Sequence, residues 1–205
     1  SAWCTRLAVP EDWEGHSARR IELALALLPA ESTSPDPDVL TFLDGGPGGA
    51  ATEDFQALAA ALTPLHERHA ILLMDQRGTG GSNALDCAAL QSPAAPQPSP
   101  TQASSTQATA SAGARSAAAS LAADDDPASL TQRLQLCLMQ LQTRAAPQFY
   151  TTTETVRDLE AVREALGSPS LDLLGVSYGT RVAQQFAARF PQAVRSVVLD
   201  SPVPN

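Results

Sequence analysis

The distribution of apolar residues along the chain predicts six short strands. Each is a short run dominated by apolar side chains, which is typical of strands buried in a sheet. The runs are Trp3 to Val9, Arg20 to Leu28, Val39 to Leu43, Ala70 to Met74, Leu171 to Leu174 and Val194 to Leu199. Pro10, Gly15 and polar residues separate the first two runs, which indicates a connection of the hairpin type.

Apolar residues at helical spacing predict four helices among the later strands. The first helix is expected over Glu53 to Leu62. In each helix the apolar residues fall on one face, which is expected to pack inward. In chain order these faces are Phe55, Leu58 and Leu62; Leu130, Leu134, Cys137, Leu138 and Leu141; Val156, Leu159, Val162 and Leu166; and Val182, Phe186 and Phe190. Strands that alternate with helices favour an α/β fold, in which a mostly parallel sheet carries helices on both faces.

Capping signals define the ends of two of these helices. Thr151 followed by Glu154 predicts a capping box at the start of the third helix, and Gly167 predicts its end. Pro191 ends the fourth helix, because a proline cannot continue the helical hydrogen-bond ladder.

Residues 91–126 differ in kind from the rest of the chain. They consist of Ala, Ser, Pro, Gln and Thr with almost no large apolar side chain. Such a segment cannot bury enough apolar surface to offset the entropy of ordering it, so we expect a disordered insert. The sequence therefore predicts one core domain over 1–205, interrupted by this insert.

Composition excludes several classes of partner. Of the 205 residues 43% are hydrophobic, which is typical of a folded domain, and the net charge is −9. An acidic chain without a basic stripe argues against binding to nucleic acid or an anionic membrane. No apolar run is long enough to span a membrane, and no signal peptide is visible. Because the chain begins at Ser1 without Met, we expect a processed product or a fragment.

The three cysteines do not have the spacing of metal ligands. Cys87 and Cys137 flank the irregular insert and are candidates for a disulfide that closes a loop of about 50 residues, worth about 4 kcal/mol in the chain-entropy model. The alternative is two buried free thiols. A disulfide implies an oxidising compartment, so we expect a secreted or periplasmic protein, and a cytoplasmic one otherwise. Cys4 is left without a partner in the chain.

A candidate nucleophile follows the fifth predicted strand. Leu171 to Leu174 leads directly into the pentapeptide Gly175-Val176-Ser177-Tyr178-Gly179, and a helical pattern begins at once. Gly-x-Ser-x-Gly between a strand and a helix is the pattern of a nucleophile elbow, in which a strained turn exposes the serine hydroxyl. Gly175 and Gly179 fit because a side chain there would collide with a neighbouring strand or helix. The alternative is an ordinary strand–helix turn with a capping serine.

Further motifs follow the other strands in order. Gly45-Gly46-Pro47-Gly48 follows the third, Asp75-Gln76-Arg77-Gly78-x-Gly80-x-Ser82 follows the fourth, and Val197-Val198-Leu199-Asp200 closes the sixth. Together with the elbow they resemble the α/β-hydrolase serine peptidases of the prolyl aminopeptidase and tripeptidyl aminopeptidase group. Prolyl aminopeptidases usually have His before Gly-Gly-Pro-Gly, where this chain has Asp44, and this departure weakens the substrate inference more than the family inference.

The resemblance implies an aminopeptidase that releases N-terminal residues or short peptides through an acyl-enzyme on Ser177. It implies an oxyanion hole built from the backbone N–H groups of Tyr178 and Gly46. The positions that would support the site are Gly45, Asp75, Arg77, Gly175 and Gly179. No cofactor and no metal are implied, and the partner expected is a peptide substrate.

Some of these roles have alternatives in the sequence itself. Asp75 and Arg77 could bind substrate, but we favour hydrogen bonds that hold the loop below the site. The side chain of Tyr178 could line the pocket or serve packing. Asp200 is a candidate triad acid, although a structural role at its turn is the better interpretation.

The chain supplies no evident catalytic base. In this fold the triad order is Ser, then Asp or Glu, then His, and no His follows Ser177. His66 and His69 precede the fourth strand, whereas active sites of open α/β sheets lie at the carboxyl ends of strands. His16 lies in the predicted hairpin. We therefore expect the catalytic Asp and His, and a lid, to follow Asn205, so that these residues form an α/β-hydrolase core truncated after the sixth strand.

Two other functions stay open at this point. An esterase on the same scaffold would use the same motifs, because a fold does not determine its substrate. A non-catalytic binding protein would need no base. A sheet that stops at Val194 to Leu199 would expose an apolar edge, which is a hazard for a free-standing protein and favours a truncated enzyme. We therefore expect the isolated chain to be inactive and prone to associate. The sequence does not indicate an oligomeric state.

Overall fold

A computed structural model describes residues 1–87, 90 and 127–204. Its six strands are β1 Trp3–Pro10, β2 Arg20–Leu28, β3 Val39–Leu43, β4 Ala70–Met74, β5 Leu171–Val176 and β6 Val194–Asp200. They form one mixed sheet in the order β1-β2-β4-β3-β5-β6. The pairs β1–β2 and β2–β4 are antiparallel, and β4, β3, β5 and β6 are parallel.

The predicted strands are confirmed, with small differences at their ends. β1, β5 and β6 each run one or two residues further than their apolar runs, because the pairing of backbone groups continues where the side chains have become polar or small. The hairpin between β1 and β2 is also confirmed, with Trp3 paired to Leu27 and Pro10 to Arg20.

The helices are α1 Ala51–Asp54, α2 Ala59–His66, α3 Pro127–Gln142, α4 Thr152–Leu166 and α5 Tyr178–Arg189. The continuous helix predicted over Glu53 to Leu62 is wrong. A 3-10 turn at Phe55–Ala57 separates α1 from α2, and there the Leu58 N–H bonds the carbonyl of Phe55, three residues back. Two further 3-10 turns cover Pro147–Phe149 and Pro191–Ala193.

The ends of α4 agree with the sequence in part. The Thr151 side chain accepts a hydrogen bond from the Glu154 N–H at 3.3 Å, and Gly167 ends the helix at φ +66°. The second half of the predicted capping box is wrong, because the Glu154 carboxylate instead accepts the Trp13 N–H at 3.1 Å. Leu166 was predicted to share the inward face of α4 but is 37% exposed, and Glu164 and Ala165 beside it are exposed as well.

The core lies on both faces of the sheet. On one face α4 and α5 contribute Val156, Leu159, Val162, Val182 and Phe186, all at most 1% exposed. On the other face α1, the 3-10 turn and α2 contribute Ala51, Phe55 and Leu62. Residues along β3 and β4 alternate between the two faces, which is why these central strands are apolar at nearly every position.

Contacts divide the chain into two compact units. Ser1–Leu85 with Ala145–Asn205 form the first, which contains the sheet, and Asp86–Arg144 form the second. The second contains α3 and the predicted disulfide between Cys87 and Cys137, whose Cα atoms are 5.4 Å apart. Cys4, in the first unit, is a free and exposed thiol. The predicted disordered insert over residues 91–126 lies outside the described residues.

The inward stripe predicted for α3 is only partly correct. Cys137 and Leu141 are buried, but Leu134 and Leu138 are 48% and 45% exposed. The buried line along this helix is thus narrower than its apolar pattern, and the leucines on its flank face solvent.

The sheet ends at β6, which pairs only with β5. Val197, Val198 and Leu199 are exposed there, as the sequence predicted for this apolar edge. Within the part of the chain that the structure describes, each helix is too short or too polar to cross a membrane.

Candidate active site

Ser177 occupies the turn between β5 and α5. Its backbone has φ +50° and ψ −117°, a conformation that non-glycine residues rarely adopt. Its N–H donates to the carbonyl of Asp200 at 2.9 Å, and its carbonyl accepts from the Thr180 N–H at 3.0 Å. The residue is half-buried, so it is partly accessible at the edge of the sheet. This is the geometry predicted for a nucleophile elbow.

Two glycines let the chain make this turn. A Cβ on Gly175 would lie 2.6 Å from the carbonyl oxygen of Gly179, and a Cβ on Gly179 would clash with the carbonyl of Leu43. The start of α5 therefore packs directly on the ends of β5 and β3. The predicted reason for both glycines is correct, since Gly175 avoids the first turn of α5 and Gly179 avoids the end of β3.

The glycine-rich loop after β3 lies against Ser177. Leu43 pairs with Gly175 in the parallel β3–β5 ladder, so both strands end at the same edge of the sheet. A Cβ on Gly45 would lie 3.0 Å from the Ser177 Cβ and 3.7 Å from its Oγ, so a side chain there would require Ser177 to shift by a few tenths of an ångström. Gly46 follows with φ +109°, and its peptide bond to Pro47 is cis.

The hydrogen bonds of this loop limit which of its N–H groups can face a substrate. The Gly45 N–H donates to Asp44 Oδ1 at 2.7 Å, and the Gly49 N–H donates to the Gly45 carbonyl at 3.1 Å. Across the site, Tyr178 is the first residue of α5, so its N–H has no acceptor within its own helix. The Tyr178 hydroxyl bonds Thr152 Oγ1 at 2.7 Å, which agrees with the packing interpretation of that side chain.

Asp75 is buried beneath the loops and fully engaged. Its carboxylate accepts hydrogen bonds from the Thr52 N–H at 2.9 Å, the Thr52 hydroxyl at 3.0 Å and the Gly81 N–H at 2.9 Å. These bonds tie the loop after β4 to the start of α1. The arrangement agrees with the loop-holding interpretation of Asp75 and leaves it 1% exposed.

Arg77 is also buried and engaged. Its guanidinium donates two hydrogen bonds to Asp158, at 2.7 and 2.6 Å, and one each to the carbonyls of Glu11 at 2.6 Å, Phe149 at 2.8 Å and Pro10 at 3.2 Å. It thereby joins the β1–β2 hairpin, the segment before α4 and α4 itself. The geometry again agrees with a structural role below the site.

Asp44 is the titratable group nearest to the glycine loop. Its pKa is raised to about 6, chiefly by burial and then by the neighbouring carboxyl groups of Asp54 and Asp75, while the hydrogen bond from Gly45 opposes the rise. Its Oδ2 atom is buried and has no hydrogen-bond partner among the described residues. This is the residue that stands where the resembled prolyl aminopeptidases usually have His.

Sequence reasoning did not single out several residues that hold the site. Thr180 donates from Oγ1 to the Ser177 carbonyl at 2.6 Å and accepts from the Val203 N–H at 2.9 Å. Gln76 donates to the Asp44 carbonyl at 2.9 Å. Asp158 had a signal in the sequence, because it is a charged residue next to the apolar stripe of α4. Thr180 and Gln76 had no signal beyond their place beside the motifs.

The contacts of the three histidines involve residues other than Ser177. His16 Nδ1 is 3.1 Å from Asp12 Oδ2, and His66 Nε2 is 2.9 Å from the carbonyl of Pro29. His69 Nε2 is 3.4 Å from Asp36 and its Nδ1 is 3.9 Å from Asp172, which lies near the start of β5. Ser177 follows the other end of that strand, about 3.3 Å further for each residue.

Asp200 ends β6 beside the elbow. Its backbone carbonyl holds the Ser177 N–H, and its side chain accepts from the Ser201 hydroxyl at 2.9 Å. Ser201 itself has φ +55°. These contacts agree with the structural role at the turn that the sequence favoured over a role as triad acid.

A surface cavity at the far end of α5 does not adjoin the elbow. It encloses about 440 Å³ and is lined by residues that include Glu160, Arg163, Arg189 and Phe190. Arg189 ends α5, whose first residue follows Ser177, and twelve residues of helix span about 18 Å. Among the described residues no cluster of three or more His, Cys, Asp or Glu side chains is arranged to hold a metal ion.

Comparisons with known proteins place this arrangement in a family. Residues 38–205 match the family described as alpha/beta hydrolase fold. The chain is 30% identical over 209 residues to a protein named serine protease Hip1 from Mycobacterium tuberculosis, a match that covers 100% of this chain and 36% of that protein. A tripeptidyl aminopeptidase from Streptomyces lividans is 49% identical over 53 residues, which are 26% of this chain and 10% of that protein. The chain thus spans about a third of the length of the first of these relatives.

Solved structures support the fold. A proline iminopeptidase-related protein from Thermus thermophilus has a TM-score of 0.53 at 22% identity, over 99% of this chain and 46% of that one. A proline iminopeptidase from Mycobacterium smegmatis has a TM-score of 0.51 at 21% identity, over 94% and 42%. The predicted fold class is confirmed, with a mixed six-stranded sheet between helices. The chain belongs to the alpha/beta hydrolase family.

Proposed function

We propose that this chain carries the nucleophile of a serine peptidase, and that Ser177 is that nucleophile. The observation that carries the proposal is the strained backbone of Ser177, with φ +50°, at a strand–helix turn against which Gly45 packs. A backbone held in such a conformation costs about 1–3 kcal/mol, and strain of this kind clusters at functional sites. Two relatives bear the names serine protease and tripeptidyl aminopeptidase, which supports peptides as the substrates.

The oxyanion hole is formed by the N–H groups of Tyr178 and Gly46. Tyr178 qualifies because the first N–H of a helix has no acceptor in its own helix. Gly46 is the donor from the loop, since the Gly45 N–H is already bonded to Asp44. Donors of this kind stabilise the negative charge that develops on the carbonyl oxygen, and the loss of one costs about 3 kcal/mol.

The base and acid of the triad are supplied by residues outside these 205. Each of the three histidines has its own partners away from Ser177. A serine hydroxyl without a base is a weak nucleophile. The 205 residues alone are therefore expected to lack activity, and Ser177 acts within a longer protein that releases residues from peptide N-termini.

Labelling with a fluorophosphonate tests the nucleophile. An extract of the source organism is treated with the probe, and the protein that yields the labelled Ser177 peptide is weighed. A labelled protein much heavier than 21.4 kDa is expected. The Ser177→Ala variant of that protein should take no label. If the protein weighs 21.4 kDa and takes no label, the serine peptidase hypothesis fails and the non-catalytic binding protein becomes the better interpretation.

Chromogenic substrates test the reaction. The purified protein is given tripeptidyl and aminoacyl p-nitroanilides, their N-acetylated forms, and short-chain p-nitrophenyl esters. An aminopeptidase cleaves the anilides that have a free amino terminus and cleaves the N-acetylated forms much more slowly. Efficient turnover of the esters alone would identify an esterase.

We also propose an oxidising compartment for the protein. The disulfide between Cys87 and Cys137 supports this, because structural disulfides persist mainly outside the reducing cytosol. Thiol alkylation of periplasmic, secreted and cytosolic fractions without reductant should find both cysteines protected outside the cytosol. Alkylation of both cysteines in the native protein would contradict the proposal.

A further inference from the structure

Asp44 is built into the loop that faces Ser177. Its Oδ1 accepts the Gly45 N–H at 2.7 Å, and its backbone carbonyl accepts from Gln76 Nε2 at 2.9 Å. A Cβ on Gly49 would clash with its Oδ2, so the far end of the loop folds onto this carboxyl group. One side chain therefore contacts both ends of the loop from Gly45 to Gly49.

The surroundings of this carboxyl group are unfavourable for a negative charge. Oδ2 is buried and lacks a hydrogen-bond partner among the described residues. The titratable groups that face it are Asp54, at the end of α1, and Asp75, in the loop after β4. Both are carboxylates, and like charges at close range disfavour ionisation of the group between them. Burial first, and these neighbouring groups after it, raise the pKa of Asp44 to about 6.

Gly45 places the carboxyl group of Asp44 close enough for its charge to affect a reaction at Ser177. Gly45 joins the carboxyl group to the serine, because its N–H bonds Asp44 and its Cα lies against the Ser177 side chain. Attack by Ser177 builds negative charge on the substrate oxygen beside this loop. An ionised Asp44 would oppose that charge, whereas a neutral Asp44 keeps the Gly45 hydrogen bond without adding a negative field.

We propose that Asp44 is a positioning residue that holds the glycine loop against Ser177 and supports the reaction only when its carboxyl group is neutral. The proposal rests on the function proposed above, since it assigns Asp44 a part in the same site. It predicts that a neutral carboxyl or carboxamide group at position 44 supports attack by Ser177 and that an ionised carboxylate there slows it.

The test compares rates of fluorophosphonate labelling in the full-length protein between pH 5 and 9. Asp44→Asn keeps an acceptor for the Gly45 N–H and cannot ionise. The ratio of its labelling rate to that of the wild type cancels the ionisation of their common base. The ratio should be near one at pH 5 and rise through a midpoint near pH 6 to roughly tenfold at pH 8. A ratio that is flat or falls with pH would overturn the proposal.

Three further variants separate charge from positioning. Asp44→Ala removes the acceptor and should be labelled more slowly than Asp44→Asn at every pH, by roughly tenfold. Asp54→Asn removes a neighbouring charge and should move the midpoint of the ratio to lower pH. Asp36→Asn is the control, because it removes one negative charge, as Asp54→Asn does, but lies beside His69 at the end of the strands opposite to Ser177. It should leave the pH dependence of labelling unaltered.

A second readout keeps the two proposals apart. If the wild type takes no more label than Ser177→Ala, the proposed function fails. Amide hydrogen exchange at Gly45 and carboxyl NMR titration of Asp44 then decide this inference without any activity. The Gly45 amide should lose protection in Asp44→Ala but keep it in Asp44→Asn. Equal protection in both variants, or a carboxyl group that ionises near pH 4, would overturn it.

Discussion

Arg77 and Asp158 form a bidentate ion pair in which neither side chain is exposed. The two hydrogen bonds are 2.7 and 2.6 Å long, and Trp13 Nε1 donates a third to Asp158 at 2.8 Å. Burial raises the pKa of Asp158, and the contacts with Arg77 and Trp13 oppose that rise. The pair joins the loop after β4 to α4.

Removal of one partner of this pair should strongly destabilise the protein. Arg77→Ala leaves a buried carboxylate without its counter-charge, which costs about 3–5 kcal/mol. Urea unfolding measures the change. Arg68→Ala is the matched control, because Arg68 also binds Asp36 in a bidentate pair but is 66% exposed. Arg68→Ala should lower the free energy of unfolding much less than Arg77→Ala does. Equal decreases would mean that burial does not determine how much these ion pairs contribute to stability.

Gly179→Ala should prevent the elbow from forming as observed. The new Cβ would clash with the Leu43 carbonyl, so α5 would have to move from the sheet, at a cost of about 3 kcal/mol or more. Gly167→Ala is the control, since its position is open and carries only the penalty of φ +66°, about 1 kcal/mol. Thermal unfolding of both variants compares the two costs, and equal shifts in Tm would contradict the close packing.

Thr180 should matter for the reactivity of Ser177 without contacting a substrate. Its hydroxyl donates to the Ser177 carbonyl at 2.6 Å and accepts from the Val203 N–H at 2.9 Å. Thr180→Val removes both bonds at nearly constant volume and should slow fluorophosphonate labelling roughly tenfold. Thr180→Ser keeps the hydroxyl and should react nearly as fast as the wild type. Similar rates for all three proteins would refute this role.

The stability of the protein should depend on the ionisation of Asp44. Its folded pKa of about 6 exceeds the value of about 3.9 in an unfolded chain, so folding favours its protonated form. That stabilisation is complete below about pH 4 and is lost as pH rises through about 6. Asp44→Asn should therefore exceed the wild type in unfolding free energy at pH 8 by at most about 1–2 kcal/mol, because the side chain is only half-buried. If the difference in unfolding free energy between Asp44→Asn and the wild type did not grow between pH 4 and pH 8, the raised pKa of Asp44 would be excluded.

Much of this fold was predictable because its signals are local. The central strands are nearly continuous apolar runs, since both of their faces are covered, and β3 and β4 begin and end where those runs do. Gly-x-Ser-x-Gly located the strand–helix turn at Ser177, because a side chain on either Gly175 or Gly179 would clash with the packing around that turn. The predictions failed where burial depended on distant contacts. Leu166 and Leu134 have the spacing of core residues but remain exposed.

The sequence by itself determined the order of strands and helices, the position of Ser177 and the absence of a histidine near it in the chain. Only the tertiary structure decided which strands are neighbours, and hence that Gly45 lies against Ser177 and that Asp44 lies among carboxylates. It also turned Glu154 towards Trp13 and paired Arg77 with Asp158. The spacing of apolar residues predicts which face of each strand or helix packs against the core. The partner of a buried charge, in contrast, depends on segments more than 80 residues apart that the folded sheet brings together.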